Sequence, residues 1–315
     1  MTTNSNCVLD LVANMGASLG SLQSKQGGGL GMWIHGYSYM PDEFYYFGGG
    51  QKDLLLGVGL DVEMNTDCRD VGECLSYEEL KERLKVENEE HASKVRSILN
   101  CDLFDKEHVY IKESNRLDWC GVGFRIVSHP ATLEYHISSI PWEAALKYLI
   151  ENNYHSEYTL RCGMHIHINK GYLGETPEEV VLNEERLLYF FERYWNKLVA
   201  MSRREEEEIY EYCARRWYTD IIRAIKDVVD EDGEPRFYAI DFSKKYSVEV
   251  SLFKGTLTYT TFIATLMLVA RIVEFCKNRP IRKLMSWRKF QDFLLENGEN
   301  NSVLIEYMKK CNVWL

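Results

Sequence analysis

No two of the nine cysteines are spaced as a C-x-x-C pair, so zinc ribbons and thioredoxin-like redox motifs are unsupported. Positive charge is in deficit. Lys plus Arg number 37 against 48 Asp plus Glu, a net charge of −11, which argues against nucleic acid as a partner. No apolar run is long enough for a membrane span: the longest toward the C-terminus, residues 262–273, is short and carries Arg271. Residues 1–31 hold Gly, Ser and Asn where a signal peptide would hold a basic segment and an apolar core, so neither a leader nor an anchor is expected. Internal repeats and long linkers are also missing. Scattered thiols without a leader point to a reducing cytoplasm.

What is present suits a folded domain. The chain has 315 residues, 45% hydrophobic and 13% aromatic, enough for a sizeable core. We expect a loosely ordered arm over residues 1–32 and a single domain over 33–315. An aromatic stretch from Trp33 to Phe47 precedes Gly48-Gly49-Gly50 and a buried strand from Leu54 to Glu63. Mixed charge with spaced apolar residues predicts a helix over 76–99. Strands follow at Val109–Ile111 and Val122–Val127, then a helix opened by Pro141. Residues 176–224 read as a long helical region, with Glu205–Glu208 as a solvated face or turn. An acidic turn over 230–235 leads to strands at 237–242 and 247–253. Helices are expected over 259–276, 286–295 and 302–311. Strands and helices arrive in clusters, which predicts an α+β fold with an antiparallel-rich sheet.

The most informative segment is Arg161-Cys162-Gly163-Met164-His165-Ile166-His167-Ile168-Asn169. Alternation with period two sends both imidazoles to one face of a strand. Two histidines on one face can converge on one ligand. Cys162, three steps from His165, falls on the other face of a regular strand, against a Cys/His nucleophile.

Four separated blocks then agree in order: Leu56-Gly57-Val58-Gly59-Leu60-Asp61-Val62-Glu63, Gly123-Phe124-Arg125-Ile126-Val127-Ser128-His129-Pro130, Cys162 to Ile168, and Ser247-Val248-Glu249-Val250-Ser251-Leu252-Phe253-Lys254-Gly255-Thr256-Leu257. With Phe191-Glu192-Arg193-Tyr194-Trp195 and Ser202-Arg203-Arg204 between them, the chain resembles the amidoligase family over roughly residues 33–311. These are ATP-dependent carboxylate–amine ligases of the glutamine synthetase / glutamate–cysteine ligase fold. The resemblance implies a curved, mostly antiparallel sheet with helices packed on its outer face and ATP and Mg²⁺ on the concave face. By the same resemblance, His165, Glu249, Glu63 and Asp61 are the metal-ligand candidates, and His167, His129 and Lys254 would face nucleotide phosphates. Arg203 and Lys254 are the candidate catalytic cations.

Several motif positions depart from the family pattern. Gly59 stands where an acid is usual, and Asp61 is shortened from Glu. Ser114 opens the stretch that usually reads Asp-Gly-Ser-Leu. Arg125 replaces a glutamate, exchanging a metal-binding carboxylate for a fixed cation. A cation 4 Å from a unit positive charge costs about 4 kcal/mol at an effective dielectric near 20. Ser251 replaces an arginine expected to clamp phosphate. The apolar scaffold around these positions is kept.

The pattern implies an amidoligase fold with a degraded ATP/Mg site: a non-catalytic binding or inhibitory protein, phage-derived on the family's distribution, acting on a host or defence protein. The alternative is an active ATP- and Mg²⁺-dependent carboxylate–amine ligase. Cofactors are accordingly ATP and Mg²⁺ or none, and the partner is a protein, or a carboxylate and an amine. Two arrangements stay open. His165, Glu249 and one of Asp61 or Glu63 hold a single divalent ion, or the residues pair among themselves, with Arg125 against Glu249 or Glu63. Arg203 and Arg204 reach a substrate carboxylate or pair with Glu205–Glu208. His35 and His136 are expected at the surface or partly buried.

Overall fold

The computed structural model describes residues 33–65, 77–101, 106–115, 117, 122–215, 237–280, 285–296 and 298–314. The expected arm at 1–32, the end of the helical region at 216–224 and the acidic turn at 230–235 lie outside the described residues.

Apolar alternation builds the strands. They are β1 (Leu56–Met64), β2 (Val109–Lys112), β3 (Gly123–Ser128), β4 (Tyr154–His155), β5 (Gly163–Asn169), β6 (Ile240–Asp241) and β7 (Ser247–Lys254). They form one sheet in the order β2-β3-β1-β5-β7-β6, with β4 beside the end of β1. Every pairing is antiparallel. The expected strand at 237–242 is reduced to two residues plus a bridge between Ala214 and Tyr238.

Because side chains alternate, the sheet has two different faces. Val58, Leu60, Val62, Phe124, Ile126, Met164, Ile166, Val248 and Val250 join the main apolar core. Gly59, Asp61, Glu63, Arg125, His165, His167, Glu249 and Ser251 alternate with them and share the other, polar face.

Ten helices among the described residues complete the fold. They are α1 (Tyr77–Leu99), α2 (Leu133–Ser138), α3 (Trp142–Glu151), α4 (Lys170–Leu173), α5 (Pro177–Arg193), α6 (Trp195–Ser202), α7 (Glu206–Tyr212), α8 (Tyr259–Cys276), α9 (Trp287–Glu296) and α10 (Ser302–Lys310). Helix α8 is apolar nearly all round, as a helix inside a core must be. It packs against α2, α3, α5, α9 and α10. By length and composition it could cross a membrane, but thirteen of its eighteen residues are buried inside this protein.

The helical region expected over 176–224 is broken twice. Thr176 caps α5 in a reciprocal capping box with Glu179. The chain turns at Tyr194, and Arg203 ends α6 in the left-handed conformation at φ 65°. Glu205 then caps α7 in a second capping box with Glu208. The run Glu205–Glu208 is therefore not a wholly solvated face, since Glu208 is buried.

The aromatic stretch lies against the β2 side of the sheet. His35 bridges Lys112 and Phe47 bridges Ala131. Phe44, Tyr45 and Phe47 gather around His129.

Candidate functional site

Strand register determines what meets on the polar face. Asp61 of β1 stands opposite Arg125 of β3, and Gly59 stands between Val127 and His165. Next along, His167 of β5 is opposite Glu249 of β7. The β5–β7 register shifts between Met164 and Ile166, so Ser251 and Leu252 together span the place opposite His165. Such a bulge re-aims side chains, and here Ser251 and Glu249 both reach the His165 ring.

Asp61 is at the centre and is fully buried. Arg125 Nε donates to its Oδ1 at 2.7 Å and Nη2 to its Oδ2 at 3.0 Å. Ser114 Oγ donates to Oδ1 at 2.6 Å, and the Gly163 amide approaches Oδ2 at 3.4 Å. This is a two-point carboxylate–guanidinium pair, the geometry for which arginine is suited. Burial pushes the Asp61 carboxyl up, but Arg125, aided by His165, more than cancels this and holds it well below the usual carboxylate range. Burial likewise works against the Arg125 charge, and Asp61 outweighs it, so the guanidinium is held still more firmly protonated. The charge swap at position 125 is thus answered by Asp61, not by the expected Glu249 or Glu63. The reason is register, which sets Asp61 directly across the ladder.

Glu249 belongs to a second group. His165 Nδ1 lies 2.7 Å from Glu249 Oε1 and 3.1 Å from Ser251 Oγ. Ser251 Oγ donates to the same Oε1 at 2.9 Å, and Lys244 Nζ is 3.5 Å from Oε2. A carboxylate only accepts, so His165 Nδ1 is the donor to Glu249 Oε1. Nε2 then faces Asp61 Oδ2 at 3.7 Å. Burial works against the Glu249 carboxylate, and the neighbouring His165 and Lys244 hold it well below the usual range. His167 is buried, and among the described residues its Nδ1 has no hydrogen bond. Burial pushes its ring down to about 3, leaving it neutral near pH 7.

The two cations expected to act on substrate are engaged elsewhere. Lys254 Nζ donates to Glu208 Oε1 at 2.5 Å. Arg203 donates to the carbonyls of Gly255, at 3.0 Å, and Lys254. Arg204 pairs with Glu208 at 3.9 Å, the i,i+4 alternative, and donates to the Leu252 carbonyl at 3.2 Å. His129 lies in the aromatic cluster, where its Nδ1 accepts from the Tyr45 amide at 3.3 Å and burial lowers it to about 4. His136 is fully buried rather than near the surface. Its Nε2 donates to the Leu56 carbonyl at 2.8 Å, Trp142 Nε1 donates to its Nδ1 at 3.3 Å, and burial lowers it to about 4. Glu63 is buried at the far end of β1, beside Gly123 and His155. Cys162 is buried just before β5, its amide held by Thr159 Oγ1.

The residues do not fit a Mg²⁺ site. A divalent cation needs several converging oxygens, with imidazole as a further donor. Among the described residues no three His, Cys, Asp or Glu side chains form such a group. Both oxygens of Asp61 already accept hydrogen bonds from Arg125, and that guanidinium would repel an incoming metal. No phosphoryl-transfer step follows from this donor set.

Two residues of the face are not evident from the sequence motifs. Lys112 ends β2, is 1% exposed, and is the register partner of Arg125. The available signal is the Val109–Ile111 alternation carried one residue further, which puts Lys112 on the face of Tyr110. Lys244, in the β6–β7 turn, has no such signal. A groove of about 740 Å³ between α2, α8 and the start of α10 is lined by Thr132, Leu133, Tyr172, Met267, Arg271 and Ser302. It contains none of the polar-face residues.

No protein-family model matches the chain, and no curated protein matches it. Among solved structures, one similar chain is in the crystal structure of the complex between prokaryotic ubiquitin-like protein Pup and its ligase PafA. The TM-score is 0.38 at 9% identity, covering 82% of this chain and 57% of that one, so this chain spans little more than half of its length.

Proposed function

We propose that this protein works by binding, on a ligase-like sheet whose polar face has exchanged metal-assisted phosphoryl transfer for internal ion pairs. The observation that carries the reading is Asp61. Its carboxylate is buried and bound at both oxygens by Arg125, with Ser114 on one of them. With the Gly163 amide also 3.4 Å from Oδ2, little of the carboxylate is left for a metal, and the cation beside it opposes one. The neighbouring carboxylate, Glu249, is likewise held by His165, Ser251 and Lys244.

The partner we propose is a protein, met in a reducing cytoplasm. Tyr158 and Leu160 are 83% and 57% exposed, and Tyr210 on α7 is 77% exposed. The 158–161 segment is tied to the α6–α7 connection through Arg204 Nη1 and the Leu160 carbonyl, 3.4 Å apart. Large exposed aromatic and apolar side chains grouped on a surface are the usual anchors of protein interfaces.

The test is turnover. Purified protein is incubated with ATP, Mg²⁺ and a panel of amines and carboxylates, and phosphate release and amide formation are followed. We expect neither above the protein-free rate. Turnover that disappears in Glu249→Ala would overturn the proposal in favour of an active ligase.

A further inference from the structure

Lys112 and Arg125 are direct cross-strand partners on the polar face, both buried. Like charges directly opposite on a sheet are destabilising, and a buried charge needs a partner. Asp61 supplies one carboxylate, and Arg125 takes it with Nε and Nη2. Arg125 Nη1 has no hydrogen bond among the described residues. Lys112 Nζ has neither a hydrogen bond nor an ion pair there. It faces the Tyr37 ring, 5.3 Å away. Among the described residues Arg125 takes Asp61 at both oxygens, and Lys112 Nζ has no carboxylate within ion-pair distance.

We propose that Lys112 Nζ and the free Nη1 of Arg125 form a metal-independent site for a small oxyanion, a carboxylate or a phosphate group. The proposal rests on the binding reading above in taking the polar face as a place where a ligand sits. Unlike a ligase site, it needs no divalent ion, because Arg125 is itself the fixed cation. The β2–β3 ladder sets the two residues directly across from each other, which limits the conformational cost of binding. Arg125 is held rigid by Asp61, and Asp61 by Ser114. Tyr37 covers the lysine, and its hydroxyl accepts from Asn115 Nδ2 at 3.1 Å. That exposed rim is the side from which an anion enters. The Lys112 amine is correspondingly strained as a free cation: burial, then Arg125, lowers it to about 8. A bound anion would restore its charge.

The experiment is calorimetric titration of the full chain with inorganic phosphate, and separately with acetate, in EDTA at fixed ionic strength. We expect saturable binding of at least one of them, unchanged by EDTA, and at least tenfold weaker in Lys112→Met. The acetate and phosphate arms distinguish a carboxylate ligand from a phosphate one. No saturable response to either, or equal binding by Lys112→Met, overturns the proposal. If that variant does not fold, the Lys112 Nζ resonance of ¹⁵N-labelled wild type decides the question. A shift on adding the anion supports the site, and binding without a shift overturns it. ATP turnover would sink the binding reading without touching this result, so the two failures are distinguishable.

Discussion

Replacing Asp61 by Asn leaves a buried guanidinium without its counter-ion. The side chain keeps its size, so the loss is electrostatic. Asn retains one oxygen, which can accept from Arg125 Nε or Ser114 Oγ. Its amide then turns toward Arg125 Nη2 and the Gly163 amide, setting donors against donors where Oδ2 now accepts at 3.0 and 3.4 Å. Removing one partner of a buried pair costs about 3–5 kcal/mol. With two charge-assisted bonds from Arg125 involved, we expect Asp61→Asn to fall in the upper half of that range. Arg125→Met should cost a similar amount, since it strands a buried carboxylate. The double variant Asp61→Leu/Arg125→Met replaces the pair with apolar side chains and should lie within about 2 kcal/mol of wild type. Urea unfolding at pH 7 of wild type, Asp61→Leu, Arg125→Met and the double variant, with the denaturant slope checked for constancy, gives all four corners of the cycle. A loss below about 1 kcal/mol for Asp61→Asn, or a double variant as unstable as the Asp61→Leu and Arg125→Met losses summed, would show that the two side chains are not a coupled buried pair. Acid adds a second readout. The folded chain holds the Asp61 carboxyl below its ordinary value, so the unfolded chain binds more protons as pH falls below about 4. The stabilisation from the pair is present above that pH and lost below it, and Asp61→Asn should lose that part of the acid dependence.

Four further outcomes follow from the same geometry. A Cβ at Gly59 would meet only ordinary contacts, 3.6 Å to His165 Cβ and 3.7 Å to Arg125 Cδ, so Gly59→Ala should be neutral or stabilise by up to about 1 kcal/mol. A Cβ at Gly123 would lie 2.2 Å from the Val62 carbonyl oxygen, so Gly123→Ala should destabilise by about 2 kcal/mol or more, both read by thermal melts. Lys112 is lowered from 10.5 to about 8, so between those values the unfolded chain holds the extra proton and stability rises with pH by up to about 3 kcal/mol. In Lys112→Met that rise should vanish, and an unchanged pH profile would count against the lysine's burial as a cation. His136 is lowered from 6.5 to about 4, so its contribution is complete above pH 6.5 and lost toward pH 4. Following its ring resonances by NMR should show no protonation above pH 5.

Much of the fold is legible in the sequence because it rests on local pattern. Helix α8 follows from an apolar run of helical length, and β1, β3, β5 and β7 from apolar alternation. The short helix α2 is not legible: its six residues, Leu133–Ser138, are too few to show a period, and only the Thr132 cap marks its start. The break at Arg203 is hidden because its left-handed backbone is occupied by an arginine, where glycine would have signalled it. At the site, the sequence locates the departures at Gly59, Arg125 and Ser251 but not their consequences. Which acid answers Arg125 depends on strand register, a long-range property that no single strand encodes. Glu208 reads as solvated from its place in an acidic run, whereas Lys254, 46 residues on, makes it a buried partner.

Manganese binding is the measurement that decides whether the polar face still holds a metal, because Mn²⁺ takes the same oxygen ligands as Mg²⁺ and its free ion is read by electron paramagnetic resonance. The protein should leave the free Mn²⁺ signal at millimolar metal unchanged, with or without ATP, beyond what ATP alone removes. A stoichiometric Mn²⁺ site that is lost in Glu249→Gln or His165→Ala would contradict the account.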